Sequence, residues 1–161
     1  NNAVVGTAVP ATRETPERFR GVIDVSLSGC YWMAQALRAG DGAGLVDHQH
    51  LLGARPHHRG VAAGGITRRV QAALISLTRD LAQQWTGRRG SRVNALAPGF
   101  FATEMTGQLP DGYLRAMAPR IPLVARATPA SWPPTAIWLA SRAGWLRLGQ
   151  TIAVDGGMVI T

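Results

Sequence analysis

The chain has 161 residues, 46% of them hydrophobic, which is enough for one domain with a buried core. Its net charge of +8 comes from 17 basic residues, all arginine, against 9 acidic ones. The arginines are scattered and no lysine occurs, so a GC-rich gene accounts for the charge and no nucleic-acid partner is expected.

No apolar run approaches the roughly 20 residues of a membrane span. The start, Asn1-Asn2-Ala3-Val4-Val5, has neither a charged leader nor a Met. That start reads as the interior of a gene product, and a cytoplasmic protein is expected. Cys30 is the single cysteine, expected as a small buried apolar residue.

The first predicted helix spans 22–37. Thr15 is its N-cap, Pro16 its first helical residue, and Glu17 faces the positive end of the dipole. Val22, Val25, Cys30, Met33 and Leu37 have roughly helical spacing, and Gly40-Asp41-Gly42 ends the element. A second helix is predicted over 71–85, where Leu74, Leu77, Thr78, Leu81 and Trp85 recur at three- and four-residue steps before Gly87-Arg88-Arg89-Gly90. A short strand follows over 91–96, closed by Ala97-Pro98-Gly99.

Thr128-Pro129 opens a third helix that runs through Leu139, with Pro133-Pro134 an unfavourable pair inside its first turns. The last strand is predicted over 150–154, with Asp155-Gly156-Gly157 as its turn. Helices and strands alternating in this order specify an α/β layer with a parallel sheet.

Four segments together resemble the short-chain dehydrogenase/reductase family. Asn1-Asn2-Ala3 is similar to its N-N-A-G motif. Arg92-Val93-Asn94 with Pro98-Gly99 and Thr103 is similar to R-V-N-x-x-x-P-G-x-x-x-T. Residues Ala72 to Arg79 resemble the helix that follows the family's catalytic Lys, and Gly149 to Gly157 resemble its C-terminal G-x-x-x-x-V-D-G-G. The match covers nearly the whole chain except 46–71.

The resemblance implies a Rossmann-like, doubly wound parallel sheet, with 1–161 as the C-terminal part of one domain. It implies NAD or NADP as cofactor and a small carbonyl or alcohol substrate. Homo-oligomers are typical of the family. Asn1, Ala3, Pro98, Gly99 and Thr103 are the positions it assigns to the cofactor, and residues 100–124 are those it assigns to substrate choice. Pro98-Gly99 closes a parallel strand at its carboxyl end, where open α/β sheets bind ligands. Asp155-Gly156-Gly157 is expected to be a structural turn near a subunit interface.

The chain departs from the family at the residues that carry its chemistry. The family's Gly-rich pyrophosphate loop would lie upstream of Asn1. Its catalytic Ser, Tyr and Lys fall at Leu52, Thr67 and Gln71, and the Asn that orders a relay water falls at Ser26. No catalytic residue is therefore expected here, and whether the chain is an enzyme stays open.

Residues 46–71 also hold all four histidines, His48, His50, His57 and His58, beside Asp47. A metal site is one alternative, but the spacing fits no common zinc framework and none is expected. A non-catalytic interaction protein on the same half-fold is another. The genetic code offers a better account. Read one base later, Asp47 to Gly53 allows I-I-N-I-S-S, the family's strand end, and Arg68 to Ala72 allows A-A-S-K. The Tyr position reads as His, Pro, Leu or Arg and is not recovered. The expectation is that 46–71 is translated out of frame between two compensating indels.

Overall fold

The structure, a computed structural model, describes residues 6, 9–39, 46–50, 65–99, 112, 115–116, 118–123 and 133–160; for 38–39, 46–50 and 88–89 only the backbone is described. The first helical rod has three parts: α1, Pro16–Ile23; a π-helical stretch, Asp24–Ser28; and α2, Gly29–Ala39. The predicted cap is in place. The Thr15 hydroxyl accepts from the Arg18 N–H at 3.3 Å, and Pro16 opens the helix where its missing N–H costs nothing.

Next come β1, Val46–His50; α3, Gly65–Arg89; and β2, Arg92–Pro98. They are followed by α4, Pro133–Ala140, and β3, Thr151–Val154. The strands form one parallel sheet in the order β1-β2-β3. This is the expected α/β architecture, with one strand more than the residue pattern indicated.

Three elements differ from expectation. Strand β1 forms over Val-Asp-His-Gln-His, a run with no strand pattern of its own, because β2 supplies a ladder to pair with; His50 stands opposite Leu96. Helix α3 begins at Gly65 rather than Gln71, since Ile66 and Val70 continue its buried stripe through Leu74. Helix α4 carries Pro133 and Pro134 as its first two described residues, where proline breaks no intrahelical bond, and Thr128-Pro129 lies outside the described residues.

Strand β2 is buried along both faces and organises the core. Val93, Ala95 and Ala97 lie under the helices. Ala95 and Ala97 pack with Val22, Cys30, Ile66, Val70 and Leu74, and Val93 packs with Ala34, Leu81 and Ala82. Burying a side chain of valine or leucine size stabilises by about 1.5–3 kcal/mol, so this layer is the main source of cohesion. Cys30 is buried as expected. Leu96 and Pro98 pair with Ile152 and Val154, which are half-buried because β3 is flanked by no further described strand.

Candidate active site

The motif Arg92-Val93-Asn94 turns out to be structural. The Arg92 Nη1 donates to the carbonyls of Leu139 at 2.7 Å and Gly144 at 2.9 Å, and its Nη2 reaches Ala140 at 3.5 Å. These carbonyls close α4 and the 3-10 turn Arg142–Gly144; a helix end leaves its last carbonyls without intrahelical partners, and that of Gly144 also accepts from the Arg147 N–H at 2.9 Å. Asn94 is fully buried. Its Nδ2 donates to the Arg147 carbonyl at 3.0 Å, and its Oδ1 accepts from the Gln150 N–H at 3.2 Å. Both side chains act on the sheet face opposite α1–α3 and tie 139–150 to β2.

Sequence reasoning missed these roles. The available signal was a buried amide and a guanidinium inside an otherwise apolar strand. Replacing Arg92 or Asn94 with Ala should each cost about 2 kcal/mol, the scale for hydrogen bonds to a charged group or for orphaned buried partners. Denaturant midpoints measure this; a change within about 0.5 kcal/mol, the range of ordinary surface substitutions, would contradict the assignment.

Pro98-Gly99 lies at the carboxyl end of β2, as expected. The Gly99 N–H donates to the Val154 carbonyl at 3.0 Å. A Cβ on Gly99 would fall 2.7 Å from the Asp155 Cα, so a side chain is excluded by the chain itself. Asp155 in turn shapes its own turn: Oδ1 accepts from the Gly157 N–H at 3.1 Å and Oδ2 from the Val159 N–H at 2.7 Å.

The other described family positions are all buried. Ser26 lies in the π-helical stretch, one four-residue step from both Val22 and Cys30, and is 1% exposed. Thr67 and Gln71, one turn apart on α3, are 9% and 7% exposed. Gly6 comes close to Thr67, with its absent Cβ 3.1 Å from the Thr67 Oγ1, so the backbone at Gly6 lies against the Tyr position. Asn1, Ala3, Leu52 and Thr103 lie outside the described residues.

Among the described residues no three His, Cys, Asp or Glu side chains form a metal-binding group. His57 and His58 lie outside them, and His48 and His50 are described only as backbone of β1. Among the described residues no helix is long and apolar enough to cross a membrane.

Comparison with known proteins decides the family. The family model described as Enoyl-(Acyl carrier protein) reductase matches residues 1–159. The chain belongs to the short-chain dehydrogenase/reductase family. It is 34% identical over 165 residues to a short-chain type dehydrogenase/reductase, y4vI, of Sinorhizobium fredii, covering 98% of this chain and 29% of that protein. It is 31% identical over 167 residues to the 3-oxoacyl-[acyl-carrier-protein] reductase FabG of Thermotoga maritima, covering 99% of this chain and 65% of that one.

Among solved structures, the gluconate 5-dehydrogenase of Burkholderia cenocepacia, in complex with NADP and tartrate, superposes with a TM-score of 0.89 at 26% identity. That match covers 99% of this chain and 63% of the dehydrogenase. This short-chain dehydrogenase/reductase thus has its family's Rossmann fold but spans less than two thirds of these relatives' length.

Proposed function

We propose that this chain is the C-terminal part of a single-domain NAD(P)-dependent oxidoreductase that interconverts a carbonyl and an alcohol by hydride transfer, and that the chain as it stands does not perform the reaction. The observation that carries this reading is the pair Thr67 and Gln71, buried one turn apart on α3 where the family has its acid/base Tyr and Lys. A threonine hydroxyl is a far weaker acid than a phenol, and a neutral amide has no charge with which to strengthen it.

On this reading the described residues offer little of what a nicotinamide dinucleotide requires. They place no phenol or ammonium on α3, the Gly99 N–H is committed to Val154, and Asp155 fills the space beside Gly99. On this reading Asn1, Ala3, Pro98, Gly99 and Thr103 descend from a dinucleotide site, and the two described among them now serve the fold. Residues 46–71 belong to the same reading as a segment translated out of frame.

Isothermal titration of the purified chain with NADH, NADPH and zinc tests it. No saturable heat is expected from any of the three. A dinucleotide isotherm with Kd below about 100 μM, more than 5 kcal/mol of binding free energy, would overturn the inactive reading. Saturation by zinc alone would favour the histidine cluster.

A second reading, a non-catalytic interaction protein, draws on the exposed Trp32, Met33 and Leu37 of α2, the kind of apolar surface that marks a contact. A chain that binds no dinucleotide yet sediments as a stable assembly would favour it.

A further inference from the structure

We propose that the turn 142–148, between α4 and β3, docks on an anionic lipid surface. Three features meet in it: exposed apolar side chains, charge of one sign, and a backbone held in place from below.

Trp145 is 64% exposed, Leu146 71% and Leu148 36%. A single surface hydrophobic needs no explanation, but a run of them on one turn does. Arg142 and Arg147 flank the Trp-Leu pair, and both are exposed. No acidic residue lies between Pro133 and Val154, and the chain as a whole carries a net charge of +8. The turn therefore presents apolar and cationic groups together. A bilayer with anionic headgroups accepts both: indole and leucine enter the interface while the guanidinium groups stay among the headgroups.

The backbone does not let these side chains fold away. Gly144 is buried, and its carbonyl accepts from the Arg92 Nη1 at 2.9 Å. The Arg147 carbonyl accepts from the Asn94 Nδ2 at 3.0 Å, and the Gly149 N–H donates to the Val93 carbonyl at 2.8 Å. The turn is thus bonded to β2 at three places, and Trp145 and Leu146 stand between the first two. Docking by a turn already held in shape costs little further ordering.

The size of the turn favours lipid over a protein partner. A stable protein contact takes about 800 Å² and roughly 20–30 residues on each side, and one short turn supplies a fraction of that. A fluid surface needs no matching shape.

Co-sedimentation of the intact chain with vesicles of phosphatidylcholine alone, or of phosphatidylcholine with phosphatidylglycerol, tests this. Binding is expected only to the second, and should fall as salt rises. Arg142→Gln should weaken it about fivefold. Trp145→Ser together with Leu146→Ser should reduce it to the level seen with phosphatidylcholine alone. All three side chains are exposed, so the variants should melt with the unaltered chain, which separates loss of docking from loss of fold. No binding to anionic vesicles, equal binding to both kinds, or binding that survives the double substitution would overturn the proposal. So would an assembly that forms without lipid and is lost in the double variant, since the turn would then meet a second copy of the chain.

Discussion

Purified chain incubated with NADPH and a panel of ketones, sugars and acyl compounds is expected to oxidise no cofactor above the protein-free rate. General acid-base catalysis alone contributes about 10²–10⁴-fold, and it needs a group whose pKa lies near the working pH. Thr67 offers an alcohol and Gln71 an amide, both shut away from solvent in the fold. Ser26 cannot replace them: it is a third buried alcohol, on the π-helical stretch across from α3. Cofactor oxidation that depends on a carbonyl compound and is lost on Thr103→Ala would show that the chain has retained a working centre.

The largest effect is expected at the level of the gene. Resequencing should find an extra or missing base near the codons for Leu45 and Val46, and a compensating change at Gln71-Ala72. Restoring both should spell a strand end of the form I-x-N-I-S-S and a Ser-Lys before Ala72-Ala73-Leu74. The fold sharpens this expectation. Strand β1 runs alongside a strand buried on both faces, with Asp47, His48, Gln49 and His50 opposite Val93, Asn94, Ala95 and Leu96. Successive strand positions alternate between faces, so both receive polar residues where a parallel sheet calls for a nearly continuous apolar run. If the codons of Asp47 to Gly53 cannot spell Ser-Ser one base later, the frame hypothesis fails and the histidines regain a claim to function.

What could be read in the sequence was what short-range chemistry encodes. Thr15-Pro16 specified a helix start because the cap closes within three residues. The apolar steps from Leu74 to Trp85 specified a helix because one face repeats. Val93 to Leu96 was legible as a strand ending in Pro98-Gly99, although the ladder runs to Pro98.

The rest depends on partners distant in the chain. Nothing local to Arg92 announces the carbonyls of Leu139 and Gly144, and nothing local to Asn94 announces Gln150. Strand β1 was illegible for the same reason, since its ladder comes from β2 and not from its own residues. Of the candidate site, the burial of Thr67 and Gln71 followed from their places beside Ile66 and Val70, a stripe that the predicted helix, starting at Gln71, cut short.

The π-helical stretch Asp24–Ser28 bears on how this rod keeps phase. Val22, Ser26, Cys30 and Ala34 are all buried, at strict four-residue steps. In an ideal α-helix each such step overshoots a full turn by about 40°, so four residues in this series would wind away from a common line. A π turn is wider and holds more residues, which rotates the following helix back. The Gly29 N–H reaching the Asp24 carbonyl is the bond that sets this offset. Winding the same residues as a regular α-helix, with the π stretch closed and none removed, would give good local geometry but turn the second half, α2, by about 100°, the rotation of one residue. Cys30 and Ala34 would then leave the core together. Register along this rod is set by a miscount of one, and the fold depends on it.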